Sequence, residues 1–522
     1  MSGSDTGGYR LDRMRVREPR FLLLYPPLQF APGEVAKPDG SLSLSYLAGA
    51  LRAAGYEVRI LDCAVGPEDS PLPDSFFNVT PLPSGLRRVG MPVEAILAIA
   101  ASYDAIGLSS IFTPQTTACL DLIRQVHAAY PDKLIMAGGV NARSLRRRFY
   151  ASGVDVIAMS EAEETVVRIG RALQGKEQLS AIPGIAYLDE AGEERITRSA
   201  PVLQDLDQLP FPAWDLLPLH QYWKISRPHG GNFTPGKTIR YASLQTSRGC
   251  PFHCEYCHIS LEQADSPHGH IGRFRTKSVE RVCLEFETLK KLGVEHIYLE
   301  DDSLFAKKRR AAEIFGLVKG MGFNLLDVNG INICHLHAGE KSGLRVDTEF
   351  IGTLAAAGFT FLTLPFESAE QRIIDKYASS KWKVSKVDAK KLIEACSDAG
   401  IQASGNYMMG YPDESPAEIF STIEMARRHV DCGLDYALFF AVVPFPGSAL
   451  FNNAIRDGHL DSDFNTDEMR WTKSIMRNML MDPATLEHVR QLAWLLVNRP
   501  DYVKYKRGMT MPDGRAIAEA VH

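Results

Sequence analysis

Long apolar runs are absent from this 522-residue sequence. The longest candidates, such as Leu438 to Val443, are strand-length, against the roughly 18 residues a spanning helix needs. The first twenty residues are polar and hold no signal-peptide core, so no membrane span is expected and the expected location is cytoplasmic. An excess of basic charge is also missing. The 58 Lys and Arg against 63 Asp and Glu give a formal charge of −5, which argues against a nucleic-acid scaffold working by bulk electrostatics. Cysteine is sparse: nine residues, an odd number, too few for a disulfide framework and suited to a reducing compartment. Gly and Pro, 41 and 30, are far from collagenous or low-complexity levels. No repeat of solenoid period is present.

What is present is globular composition, 45% hydrophobic and 23% charged, in a chain long enough for about three domains. Behind a polar tail (1–18), residues 19–180 alternate strand and helix. Strands are expected at 20–25, 57–62, 104–109, 133–139 and 154–159, helices at 41–54, 93–101 and 115–129, and a Pro-rich loop at 64–93. This pattern predicts an α/β domain, a doubly wound, Rossmann-like parallel sheet. Such sheets bind ligands at the carboxyl ends of their strands, which here carry Pro26-Pro27, Ser109-Ser110, Gly138-Gly139 and Ser160-Glu161. Residues 181–236 are Pro-rich, lack periodicity and read as a connecting segment. Alternation resumes over 237–455, with strands at 238–246, 295–301, 327–333, 360–366, 401–409 and 435–443. Six strand–helix units predict a partial (β/α)6 barrel, its chemistry again at the strand carboxyl ends. Residues 456–522 read as a small helical C-terminal region.

Three of the nine cysteines fall within eight residues. TSRGCPFHCEYCHIS (246–260) sets Cys250, Cys254 and Cys257 in a C-x3-C-x2-C arrangement after an expected strand. A chance occurrence of this spacing has a probability of about 0.003 per chain. Three thiolates on one loop can hold three irons of a [4Fe–4S] cluster and leave the fourth open to a ligand. Structural zinc normally wants four closed ligands, and no second cysteine pair exists, though His253 or His258 could complete such a site.

With Tyr256 before its last cysteine, this segment resembles the hallmark of the radical S-adenosylmethionine (SAM) enzymes. The resemblance covers about 237–455 and includes IYLEDDSLF (297–305), LPFESAEQRII (364–374), GNYMMGYPDES (405–415) and AVVPFPGSALF (441–451). It implies a [4Fe–4S] cluster on Cys250, Cys254 and Cys257, with SAM contacts from Tyr256, Asp301, Asp302, Glu367, Ser368, Asn406 and Pro444. It also implies one-electron cleavage of SAM to a 5′-deoxyadenosyl radical, with an electron donor such as flavodoxin or ferredoxin.

The first domain lacks both G-x-G-x-x-G and a P-loop. It resembles the cobalamin-binding domain of the cobalamin-dependent radical SAM class in its Pro-Pro strand end, GYEVRILD, DAIGLSS and IMAGG. That likeness implies cobalamin contacts from Pro26, Ser109, Ser110, Thr113, Gly138, Gly139, Ser160 and Glu161. Two departures stand out. Ser160-Glu161-Ala162-Glu163 replaces the class's Gly-Glu-Gly-Glu, and no histidine precedes His127 to ligate cobalt; the base of a bound cofactor is expected off the metal, with no early histidine in its place. The class implies methylation of an unactivated carbon on a small-molecule or natural-product substrate, with cyclisation, ring rearrangement or oxidation as alternatives. A tRNA methylthiotransferase would need three further cysteines, where only Cys63 and Cys119 precede Cys250. A non-catalytic corrinoid carrier would have no use for an open-iron loop. No nucleic-acid partner is expected. Cys334, at an expected strand end, reads as a buried apolar thiol rather than a hydrogen donor.

Overall fold

In RFLLLY residues 21–25 are fully buried, as a strand covered on both faces requires, and the strand lies one in from an edge of the first sheet. The computed structural model describes residues 14–38, 40–228, 237–263, 269–339 and 344–508, so the ends of the polar tail and of the C-terminal region lie outside it. It divides into two units. The first holds residues 1–32, 38–222 and 262–271, the second 33–37, 223–261 and 272–522.

In the first unit, strands β1 (Arg20–Tyr25), β2 (Glu57–Asp62), β3 (Ala105–Ser109), β4 (Leu134–Gly138) and β5 (Val156–Ala158) are parallel. Strands β6 (Ile185–Leu188) and β7 (Glu194–Ile196) extend the sheet as an antiparallel hairpin, in the order β7-β6-β5-β4-β3-β1-β2. Helices α1 (Leu42–Ala53) and α2 (Thr116–Ala129) return between parallel strands, and α3 (Glu163–Leu173) leads from β5 to the antiparallel β6. Two stretches read as irregular are ordered. The Pro-rich loop contributes two strands of a small three-stranded antiparallel sheet, Leu28–Phe30 with Val79–Pro81 and Arg87–Val89, and the connecting segment contributes β6 and β7. In each, strands of three or four residues are too short to show alternation; cross-strand pairing stabilises them.

The second unit is built on six parallel strands: β8 (Tyr241–Leu244), β9 (His296–Leu299), β10 (Asn324–Asp327), β11 (Phe359–Glu367), β12 (Gln402–Met409) and β13 (Tyr436–Ala441), paired in sequence order. Among the described residues β8 and β13 do not pair, so the barrel is open. Helices α4 (Val279–Lys291), α5 (Lys308–Val318), α6 (Thr348–Ala357), α7 (Gln371–Tyr377), α8 (Ala389–Asp398) and α9 (Pro416–Asp431) alternate with them. A capping box of Ser415 and Glu418, with Pro416 in the first turn, starts α9. The strand expected at 327–333 lies at 324–327 instead. The buried Asp327 carboxylate accepts from Gly330 N (3.0 Å) and Thr363 N (2.8 Å), turning the chain where VNGINI had read as alternation.

Side chains alternate between the faces of this sheet, with register shifts at Leu325/Leu326 and at Pro365/Glu367. Phe366, Tyr407 and Phe439 face the helices, with Tyr407 Oη 2.8 Å from His429 Nδ1 on α9. On the opposite face lie Pro365, Asn406 and Leu438, aligned by register. The free edge of β13 is covered from the C-terminal region. Asn498 takes both backbone groups of Ala437 (2.7 and 2.8 Å), and Trp471 O accepts from Ala441 N at 2.8 Å. Asn498 follows α10 (Pro483–Val497). In α11 (Pro500–Gly508), Tyr502 stacks on Tyr436 at 4.5 Å. This is how the fold protects an edge that would otherwise template pairing.

Candidate functional site

In the second unit the cysteine loop leaves β8 and is tied down at nearly every turn. Asp301, at the end of β9, accepts from Thr246 N (2.9 Å), Thr246 Oγ1 (2.7 Å) and Ser247 Oγ. Asp302 accepts from Gly249 N at 2.9 Å. Gly249 has φ +77°, and a Cβ there would lie 2.4 Å from Arg273 O, so only glycine makes this turn. Further along, Glu255 N donates to Tyr377 O (2.8 Å) and His253 N to Ser379 Oγ (3.0 Å), while Cys257 N closes onto Cys254 O (3.0 Å).

The three thiols lie close enough to repel one another as thiolates. Burial pushes Cys250 up to about 11 and raises Cys254 and Cys257, and the neighbouring cysteines add to the rise on Cys250 and Cys257. Soft, partly buried thiols held this way fit iron–sulfur ligation, because a bound metal removes the proton and compensates the charge. Among the described residues no three His, Cys, Asp or Glu side chains are gathered as ligands of one ion. A cluster does not require that, since each thiolate takes a different iron.

Beside the loop, Tyr256 donates to Glu367 Oε1 at 2.8 Å, and Lys381 bridges both, pairing with Glu367 and standing 3.2 Å from Tyr256 Oη. The Lys381 and Glu367 side chains are 9% and 6% exposed. Burial opposes the charge on Lys381, but the adjacent carboxylate outweighs it and holds the ammonium's pKa up. Glu367 ends β11 with φ +64°, a costly conformation for a residue with a Cβ. Asn406, on the helix-free face of β12, has a buried side-chain oxygen without a partner. The same is true of one oxygen of Glu414, whose other oxygen accepts from Gly410 N (2.7 Å) and Tyr411 N (3.2 Å). Burial lifts Glu414 to about 7 despite those donors. Pro444 is buried just beyond β13.

The structure therefore gathers Cys250, Cys254, Cys257, Tyr256, Glu367 and Asp302 around one loop. Asp301 and Ser368 are differently engaged: Asp301 has the three donors above, and Ser368 Oγ lies 3.2 Å from Thr422 on α9 and accepts from Glu370 N. Lys381 was missed from sequence; YASSKW carries no motif, and the lysine reaches the loop only through tertiary folding.

In the first unit the expected ligand residues meet at the strand carboxyl ends. Pro26 follows β1, beside β3. Ser110 N donates to Gly138 O (2.9 Å), Asn141 N to Ser110 O (3.2 Å), and Thr113 Oγ1 to Asn141 Oδ1 (2.9 Å). Gly139 has φ +96°, and a Cβ there would sit 2.4 Å from Ser110 O. Ser109, Ser110, Thr113 and Ser160 are buried, Gly138, Gly139 and Glu161 half-buried. The Asn141 amide nitrogen is buried without a partner, which fits a hydrogen-bonding ligand over a cradle of close backbone. His127 lies in the last turn of α2, which runs back towards the opposite end of the strands.

Residues 35–170 match the B12 binding domain family and residues 244–426 the Radical SAM superfamily. Cytidylyl-2-hydroxyethylphosphonate methyltransferase of Streptomyces wedmorensis is 25% identical over 88% of this chain and 86% of its own length. Anaerobic magnesium-protoporphyrin IX monomethyl ester cyclase of Cereibacter sphaeroides is 24% identical over 89% and 68%. Among solved structures, the radical SAM methyltransferase TsrM of Kitasatospora setae, with tryptophan and a SAM analogue bound, aligns with a TM-score of 0.60 at 16% identity, over 84% of this chain and 76% of its own.

Proposed function

Since this chain belongs to the cobalamin-dependent radical SAM enzymes, whose cofactors are a [4Fe–4S] cluster, SAM and cobalamin, we propose that it methylates an unactivated carbon of a small molecule. When bound, these groups supply reductive cleavage of SAM, hydrogen abstraction by the resulting 5′-deoxyadenosyl radical, and a cobalt-borne methyl donor. The observation that carries the reading is the immobilised loop with three thiols and no fourth cysteine.

In this reading Cys250, Cys254 and Cys257 hold the cluster. Asp302 fixes Gly249 so that the loop keeps its turn. Tyr256, Glu367 and Asn406 present a hydroxyl, a carboxylate and an unpaired amide oxygen to SAM, with Pro444 as an apolar wall. Asp301 and Ser368 act one step back, clamping the loop and the β11 turn. In the first unit Pro26, Ser109, Ser110, Thr113, Gly138, Gly139, Ser160 and Glu161 form the corrin cradle, to which Asn141 adds a donor. Because His127 lies in the last turn of α2, towards the far end of the strands, the first unit would offer a bound corrin no early histidine as a ligand. A flavodoxin or ferredoxin supplies the electron, no nucleic acid is bound, and the enzyme works in the cytoplasm. Among the described residues no helix is long and apolar enough to cross a membrane.

The length of the match to the cyclase favours a second reading, oxidative ring formation with the same parts. Anaerobic turnover with methyl-labelled SAM separates the two. Methylation puts the label in the product together with 5′-deoxyadenosine, whereas an unlabelled product that has lost hydrogen supports the cyclase reading and removes the first.

A further inference from the structure

Five non-glycine residues among those described have a left-handed backbone, and three of them, Glu367, Ser379 and Ser380, surround one lysine. Backbone strain persists only where the surroundings over-determine it, and its clustering here points to a task. The segment from Tyr377 to Lys381 works as a clasp: Tyr377 O and Ser379 Oγ hold two amides of the cysteine loop, at Glu255 and His253. The two left-handed serines, φ +58° and +48°, then turn the chain so that Lys381 enters under the same loop, against Glu367 and Tyr256.

We propose that Lys381 is a positioning residue that neutralises the buried Glu367 carboxylate beside the cluster and thereby raises the cluster's reduction potential. The inference rests on the cluster assignment made above. One-electron reduction adds one negative charge to the cluster, the electron coming from the external donor or titrant. A bare carboxylate in a low-dielectric site opposes that charge, and an ammonium locked against it removes the opposition. The lysine also fixes the carboxylate and phenol in the orientation in which they face the cofactor.

The test is a potentiometric titration of anaerobically reconstituted full-length enzyme, with the reduced cluster read by electron paramagnetic resonance and iron and sulfide measured on the same samples. At fixed poise, K381M should lower the reduced-to-oxidised ratio about tenfold, a shift of about 59 mV. K381R should stay within about twofold of wild type. The double variant K381M/E367Q, which removes both charges of the pair, should recover most of the loss. K383M, which removes an exposed lysine paired with Asp375, should change nothing. A K381M ratio within twofold of wild type, an equal fall in K383M, or no recovery in the double variant overturns the proposal while leaving the cluster standing. Should K381M not retain four irons, E367Q alone decides: its ratio should rise about tenfold, and an unchanged ratio overturns the idea. A full four-iron complement in C254A would instead remove the cluster reading on which this rests.

Discussion

Cys254 is the most buried of the three loop thiols, 8% exposed. Cys254→Ala should leave the fold intact and abolish 5′-deoxyadenosine formation, with iron falling well below four per chain; undiminished SAM cleavage would contradict the assignment. In the first unit the informative residue is Gly139. Its φ of +96° and the Ser110 oxygen 2.4 Å from any Cβ leave no room for a side chain. Gly139→Val should cost about 1–3 kcal/mol from the positive-φ, extended backbone alone, more from the clash, and should reduce corrin uptake. Thermal melting with and without added cobalamin measures both. If the variant binds cobalamin as wild type does, that strand end is not the cradle. Both residues stood out in the sequence for their type and place. What it could not display was the unpaired Asn141 amide or the lysine beneath the loop, because each depends on which distant groups fold against it.

At the scale of elements, the edge of β13 makes the clearest case. A six-stranded parallel sheet that does not close leaves a row of backbone donors and acceptors, and burying them unpaired is costly. Asn498 supplies the missing partner for Ala437 in both directions, and Trp471 O does so for Ala441. Asn498→Ala strands one buried donor and one buried acceptor and should destabilise the protein by about 1–3 kcal/mol, with faster hydrogen exchange at Ala437 than at the interior strands. Unchanged exchange there would mean the edge is satisfied in another way. The strands themselves were legible wherever apolar residues ran on or alternated, as in RFLLLY and at 401–409. The hairpin of β6 and β7 was not, since four residues paired with three carry too little pattern. The shift of β10 to 324–327 has a similar origin. The Asp327 carboxylate bonds Gly330 N and ends the strand early, a decision made by a side chain rather than by alternation.

For the molecule as a whole, buried titratable groups pull acid stability in opposite directions. His429 lies 8% exposed behind Tyr407, and burial holds its pKa down at about 4. His335 is lowered to about 4 by the same cause. A lowered histidine contributes stability that is fully present above about 6.5 and is lost as pH falls towards 4. Asp327 and Glu414 are raised to about 7 by burial. Their contribution is present below the ordinary carboxylate range and is lost as pH rises through 7. These contributions oppose each other between about pH 4.5 and 6.5, so the unfolding free energy should vary little there. His429→Gln removes one opposing group. Its deficit relative to wild type should shrink as pH drops from 6.5 to 4 in denaturant titrations, and a constant deficit would show that the imidazole is already charged in the native state.

Much of the chemistry was determined by the sequence itself, because it depends on residue type at fixed spacing. Three thiols within eight residues, on a loop that follows a strand, imply a cluster loop whatever surrounds them, and alternating strand and helix imply parallel sheets with ligands at their carboxyl edges. Only the tertiary structure decided what required groups far apart in the chain to meet. It assigned Asp301 to clamping the loop rather than leaving its carboxylate free, left Asn406 and Asn141 with unpaired atoms, sealed the last strand with Asn498, and drove Lys381 beneath the cysteines. Spacing within a loop is written into the chain, whereas desolvation, strain and hydrogen-bond saturation arise only once distant segments are packed together.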